Sequence, residues 1–406
     1  MSTMLSSLEP VAVGRKDSLF APDLAARDAE LREAIGGQAV LILGGAGSIG
    51  AATTKLLVHY APSRLHLVDQ DENGLVELLR DMRSSGLAGG VADLRILAMD
   101  YGSPNMKRFL GSVPPYQLIL NFAAIKHVRS EKDVPSTLHL LDTNVVKPHR
   151  LLEWLAAGGF TGRYYAVSTD KAADPVNFMG ASKRVQEMLT LGGPLEHGGA
   201  HLTSARFANV AFSNGSLLHG FLQRLERGQP LAVPKHVSRY LITHEEAAQI
   251  CALATVCGPS GHTLVPRAGE TLEPVELTSV ARTILEARGL KPLYCATEDE
   301  ARARASQRPE GSYPVLLTEP DTAGEKPTEQ FVGAGEAAVE IGLKSLLGIR
   351  QASEGSHRAV AFARAIERLI ADPDRPVTTA ELRSLLVSVL PTFQHTETGK
   401  SLDHRM

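Results

Sequence analysis

Five apolar residues, AVLIL (39–43), run into the glycine-rich turn GGAGSIG and then into AATTKLLVHYA, whose spacing is helical. A buried strand that ends in such a turn and opens a helix is the first unit of a parallel βαβ fold. Gly44, Gly47 and Gly50 stand three residues apart in it. Lacking β-carbons, they let the backbone turn tightly and come close to a pyrophosphate. The helix start adds unpaired N–H groups and positive potential. The turn, with its Ser48 and Ile49, is therefore a candidate cofactor loop.

The alternation continues downstream. RLHLVD (64–69) reads as a second strand and ENGLVELLRDMRSSG as a second helix. LRILAMD, QLILNFAA and RYYAVST repeat the pattern of a buried strand followed by polar residues, and a helical stretch lies around Leu138–Ala156. Strands alternating with helices predict an α/β protein with a Rossmann-like, doubly wound parallel sheet. Residues 22–36 read as one amphipathic helix leading into it. After about residue 210 the alternation weakens. GSLLHGFLQRLERGQP, HEEAAQICALATV and PVELTSVARTILEARG (274–289) read as helices, and 296–330, rich in Glu, Arg, Pro and Gly, as a long connection. TTAELRSLLVSVLP (378–391) reads as a terminal helix with Thr378 or Thr379 as its cap. The expected organisation is a helical lead-in over 1–36 and a dinucleotide-binding domain over 37–215, with core strands reaching as far as 260. A smaller mixed α/β substrate-binding region follows over 216–345, then a helical tail over 346–406.

Composition narrows the class. Hydrophobic residues make up 43% of the 406, enough for a real core, and 42 basic against 45 acidic residues leave a net charge of −3. No nucleic-acid or membrane footprint is expected from that balance. Cys251, Cys257 and Cys295 show no CxxC spacing, which predicts reduced thiols and a cytoplasmic location. The 14 histidines form no HExxH or paired-ligand spacing, so no metal is expected. MSTMLSSLEPVAVGRK lacks the apolar core of a signal peptide, and no apolar run reaches about 18 residues.

Asp69 closes the second strand. A carboxylate there accepts hydrogen bonds from a ribose diol and repels a 2′-phosphate, which favours NAD over NADP. Its alternative is a turn residue before Gln70–Asn73. Asp100 closes the third strand and either holds the adenine edge or caps the strand.

The segments NFAAIKHV (121–128), DTNVVKPHRLLEW (142–154), VSTDKAADPVNFMGASKRVQEM (167–188), ARFANVAFSNGS (205–216), LERGQPLAVPKHVSRYLITHEEAAQ (225–249) and GEK (324–326) occur in that order. Together they resemble the extended short-chain dehydrogenase/reductase family. Within it they resemble the capsule-type UDP-N-acetylglucosamine 4,6-dehydratases of polysaccharide biosynthesis, over roughly residues 37–345. The resemblance implies a bound NAD and an internal redox cycle. Hydride leaves sugar C4, the resulting ketone acidifies the C5 proton, water leaves from C6, and the hydride returns to C6 to give a 4-keto-6-deoxy sugar. It also implies the roles. Lys183 holds the nicotinamide ribose, Asp170 is the acid for the C6 hydroxyl, Lys171 the base for the C5 proton, and Thr169 the hydroxyl nearest the C4 oxygen. Tyr101, Ala123, Ala124, Lys126 and Asn144 fall along the cofactor. Asn209, Arg239, Ser216, Glu325 and again Lys126 fall along a nucleotide-sugar substrate, a UDP-sugar foremost. His127 reads as a packed histidine. A homo-oligomer, formed through two helices beside the Lys183 segment, is implied in the same way.

Met179 stands where such a site normally carries a tyrosine, and methionine cannot accept a proton. The methionine-variant branch of the family has the same residue. The C4 hydroxyl proton is expected to leave through Thr169 to water or a neighbouring base, with Lys183 supplying the field and Met179 a soft apolar wall. The alternative is that Met179 is a packing residue in a protein without oxidation chemistry. Two departures touch the substrate cleft. Thr322 and Ala323 replace an arginine and proline before GEK, and Ala208, Phe212 and Asn214 alter the usual GNVxGSRGS. They keep open an epimerase or oxidase on the same scaffold; the missing tyrosine alone keeps open a non-catalytic NAD-binding protein.

Overall fold

The computed structural model describes residues 2–126, 131–307, 310–319, 329–351 and 355–394, with the backbone alone for 2–7. Its first six strands are β1 (Ala39–Leu43), β2 (Arg64–Asp69), β3 (Asp93–Ala98), β4 (Leu118–Asn121), β5 (Arg163–Thr169) and β6 (His201–Phe207). Beyond them come β7 (Asn209–Val210), β8 (Leu231–Pro234), β9 (Ser238–Ile242), β10 (His262–Pro266) and β11 (Pro274–Glu276). The last are β12 (Lys291–Cys295), β13 (Ser312–Thr318), β14 (Ala338–Glu340) and β15 (Leu346–Arg350).

The central sheet runs β14-β15-β10-β6-β5-β4-β1-β2-β3. Its pairs from β3 through β10 are parallel; β15 joins β10 antiparallel and β14 joins β15 antiparallel. The sheet thus continues past residue 260, through β10 and the two strands after 337. Alternate residues of β1 enter different cores: Val40 and Ile42 pack on one face, Leu41 and Leu43 on the other. A strand buried on both faces needs a continuous apolar run, which is why AVLIL shows no alternation. Helices Ser48–Val58 and His244–Val256 cover the first face, and Phe178–Gly192 and Ser356–Ala371 the second. Register pairs Leu43 with Val68 and Asn121, and Thr169 with Phe207. The residues following these strands therefore share one edge, at the point between β1 and β4 where strand order reverses. That crevice is where ligands bind in open parallel sheets.

A second lobe is built from two three-stranded sheets, β11-β9-β7 and β12-β13-β8. Its core gathers Phe212, Phe221, Leu277 and Ile284 with Leu8, Ala12 and Val13 of the first helix, Ser2–Val13.

Three sequence expectations are corrected. Residues 22–36 form two helices, Ala21–Ala26 and Asp28–Ile35, broken at Arg27. The break follows from tertiary ties: Asp23 accepts from the N–H groups of Lys344 and Ser345, and Arg27 donates to the Gly342 carbonyl. The stretch 296–330 holds a helix, Glu298–Gln307, and β13. That helix is polar all round and laced by Arg302 to Glu298 and Asp299, so no apolar stripe marks it. The third concerns only bounds: the helical reading around Leu138–Ala156 holds, as Val134–Leu141 and Lys147–Ala157 joined by one wide helical turn at Asp142–Val146. Thr378 is the cap of the terminal helix, accepting from Glu381 N–H. Among the described residues no helix is long and apolar enough to cross a membrane, and no acidic, His or Cys cluster is placed to hold a metal ion.

Candidate functional site

The glycine turn sits at the crevice. Gly44 has φ +78°, and a β-carbon on it would lie 2.5 Å from the Ala123 nitrogen, so only glycine lets β1 and β4 approach there. Gly47 caps helix Ser48–Val58 without any side-chain acceptor, and Ile49 and the buried Gly50 follow in its first turn. The first N–H groups of that helix are thus left to a ligand, as a dinucleotide's phosphates require. Asp69 reaches back over the turn, taking Ala46 N–H at 2.9 Å and Asp71 N–H at 3.0 Å. These residues fit a dinucleotide cofactor. Asp100 is committed elsewhere. It pairs with Lys147 at 2.6 Å and accepts from Gly102 N–H, the bonds of a strand-terminal cap. The Tyr101 hydroxyl points inward to the Thr143 carbonyl at 2.6 Å, and burial raises its pKa. Ala123 N–H donates to Asn121 at 3.1 Å, and Ala124 lies half-buried beside it. Asn144, wholly buried, brackets Ile125 through its N–H and its carbonyl and donates to Ser182 at 3.0 Å, clamping the β4 loop to helix Phe178–Gly192.

Across the crevice, β5 ends at Thr169. Its hydroxyl donates to Asp170 at 2.7 Å, and Lys171 Nζ lies 3.3 Å from both Asp170 oxygens. Asp170 is 6% exposed and turned into the protein, while the Lys171 side chain is 29% exposed. Gly180 is pressed against this loop: a β-carbon there would stand 2.3 Å from the Lys171 carbonyl. Helix Phe178–Gly192 starts at Asn177, which accepts from Gly180 N–H, while Glu131 accepts from the N–H groups of Phe178 and Met179 at 3.0 and 2.7 Å. An anion on a helix N-terminus is held by charge as well as by hydrogen bonds. Met179 is buried in the apolar cluster that also holds Tyr101, Leu141 and Val145. One turn on, Lys183 is buried and donates to Gln186; burial pushes its pKa down to about 7.

Behind this loop lies a charged network. Glu187 accepts from Ser168, Arg184 and Arg206, and Arg206 also binds Glu336 at 2.6 and 2.9 Å. Burial would raise both carboxyls, but Arg206 and Arg184 overrule it: Glu187 stays below its ordinary value and Glu336 falls to about 2.

On the far wall, β7 pairs with β9 and brings Asn209 near Arg239. Both meet Glu329, whose side chain is 5% exposed. Asn209 donates to it at 2.5 Å, Tyr240 N–H at 2.8 Å, and Arg239 Nε stands 3.6 Å away. Burial, then the charge of nearby Asp170, raises the pKa of Glu329. Lys126 is exposed at the crevice, its Nζ 3.4 Å from Ser213. Ser216 caps helix Leu217–Glu226, its hydroxyl accepting from His219 N–H at 3.2 Å. Glu325, with the rest of GEK, and His127 lie outside the described residues, as do Thr322 and Ala323. The sequence reading missed Glu131, Glu187 and Glu329. No local pattern marks an isolated glutamate whose partners come from distant strands.

The family model for polysaccharide biosynthesis proteins matches residues 40–335. The uncharacterized membrane protein MJ1061 of Methanocaldococcus jannaschii is 26% identical over 283 residues, 69% of this chain and 80% of that one. The capsular polysaccharide biosynthesis protein CapD of Staphylococcus aureus is 25% identical over 62% of this chain, which spans only 41% of CapD. An inverting UDP-N-acetylglucosamine 4,6-dehydratase of Campylobacter jejuni is 26% identical over 47% of this chain and 55% of its own length. Among solved structures, Pen from Bacillus thuringiensis has the same fold, with a TM-score of 0.63 at 20% identity, covering 78% of this chain and 89% of Pen.

Proposed function

Because this chain belongs to the polysaccharide biosynthesis protein family, we propose that it is an NAD-dependent nucleotide-sugar 4,6-dehydratase acting on a UDP-N-acetylglucosamine-like substrate. The observation that carries the reading is the contiguous Thr169, Asp170 and Lys171 at the end of β5, hydrogen-bonded in series on the sheet edge that also carries the glycine turn. The similarity to the Campylobacter dehydratase supports the substrate class.

NAD, when bound, would supply the hydride acceptor and donor for sugar C4 and C6. Gly44, Gly47 and Asp69 would hold it, with Lys183 reaching the nicotinamide ribose. The chain's own work is moving protons. Thr169 Oγ1 takes the C4 hydroxyl proton while passing its own to Asp170 Oδ1, the base to which it already donates. This answers the methionine at 179, since no phenol is needed. Lys171 enters the cycle as the neutral amine. Neutral Lys171 takes the C5 proton, Asp170 gives its proton to the C6 hydroxyl as water leaves, and Lys171 returns its proton to C5. The C4 hydroxyl proton ends in the water, the C4 hydride at C6, and every protein group returns to its starting state.

Incubation with UDP-N-acetylglucosamine and mass spectrometry of the product tests the reading. A product lighter by one water is expected. An isomer of unchanged mass makes the protein an epimerase, and no change with any UDP-, GDP- or CDP-sugar overturns the assignment.

A further inference from the structure

Glu329 was not anticipated at the cleft, and its contacts are unusual for a surface connection. One oxygen accepts from Asn209 Nδ2 at 2.5 Å, and the other accepts from Tyr240 N–H at 2.8 Å. Arg239 Nε lies 3.6 Å from the first. The segment that carries it is fixed from behind. Phe331 packs its ring on Tyr240 with centroids 5.5 Å apart and gives its carbonyl to Arg206, and Glu336 pairs with the same arginine. The residues that follow Glu329 therefore tie its position to the buried charge network.

We propose that Glu329 is a positioning residue for the diphosphate end of the substrate cleft, fixing which way the Asn209 amide faces. The proposal rests on the nucleotide-sugar reading above. An amide can present either nitrogen or oxygen, and an ionised carboxylate only accepts. Beside Glu329, Asn209 must offer Nδ2. Of its two amide hydrogens, one is held at 2.5 Å by Glu329. The other reaches the Tyr240 carbonyl at 3.4 Å, too long to be a strong bond and easily exchanged for a phosphate oxygen. Without Glu329 the amide can turn its oxygen toward the ligand, where it meets the phosphate as a like dipole. Glu329 also ties the backbone of Tyr240, and hence the adjoining Arg239, to the same point, so that both candidate phosphate donors share one anchor.

Glutamine cannot do the same work. It has one accepting oxygen, and turning that to Asn209 sets its own N–H₂ against Tyr240 N–H. The test is a double-mutant cycle on UDP binding, read by calorimetry on the NAD-loaded protein, with NAD affinity and Tm as controls. Glu329→Gln is expected to weaken UDP about tenfold while leaving NAD affinity unchanged. Asn209→Ala is expected to weaken it comparably, and the double variant no further. Glu329→Asp, which keeps both accepting oxygens, is expected to recover part of the loss. Unchanged or tighter UDP binding in Glu329→Gln overturns the proposal, as do losses that add in the double variant or a parallel fall in NAD affinity. These failures leave the dehydratase reading standing. Absence of UDP binding to the unmodified protein overturns both.

Discussion

Thr169 carries the proton argument at the scale of single residues. Its hydroxyl donates to Asp170 and, on the proposed relay, would join the C4 oxygen to it, so Thr169→Val is expected to cut turnover about 10²- to 10³-fold, while Thr169→Ser keeps most of it. Single-turnover rates of water loss check this, and unchanged turnover in the valine variant contradicts the relay. Lys183 gives a second prediction. Its pKa, lowered by burial to about 7, lies below that of an unfolded lysine. From pH 7 upward the unfolded chain binds the extra proton, so the stability of the ligand-free protein rises with pH across that window. The Tm of Lys183→Met is expected to exceed that of the unmodified protein most below pH 7, with the gap narrowing toward pH 9; a constant gap contradicts this. These residues were legible because the catalytic motif is contiguous and its spacing is chemical. Asp100 was legible only as a pair of alternatives, and its partner Lys147, brought from another helix, left no local signal. Glu131 and Glu329 gave no signal. Their meaning depends on which backbone N–H groups the fold brings to them.

At the scale of elements, the segment Glu329–Glu336 shows how a connection becomes a wall of the site. Glu336 binds Arg206, which has no exposed surface, and shares it with Glu187. Removing one partner of a buried pair costs about 3 kcal/mol. Glu336→Gln is expected to lower stability at pH 7 by about that much. The folded pKa of Glu336 is depressed to about 2, so its contribution is full above the unfolded value near 4.5 and is lost as pH falls toward 2. Urea midpoints at pH 7 and pH 3 check both statements. An equal gap between variant and unmodified protein at the two values contradicts them. Strands of the central sheet were readable because burial on both faces forces an unbroken apolar run. Helix Glu298–Gln307 and the break at Arg27 were not. The first lacks an apolar stripe and the second is imposed by Asp23 reaching β15.

For the whole molecule, the tail closes the second face of the sheet. Helix Ser356–Ala371 and the helix Thr379–Val389 lie against Phe178–Gly192 and its neighbours, joined by Arg150–Glu367 and Arg364–Glu153 and by Phe393 packed on Phe178. Removing residues 355 onward uncovers an apolar face. The shortened chain is expected to self-associate, seen as a heavier species in sedimentation; an unchanged state would show that the tail is not its cover. The central claim is that one hydride leaves C4 and returns to C6 of the same sugar while Thr169, Asp170 and Lys171 move the protons. UDP-N-acetylglucosamine carrying deuterium at C4 tests it most directly. The predicted product has lost one water and carries the deuterium at C6. Deuterium found in solvent or on released NADH, or a product with the oxygen at C6 intact, would contradict it.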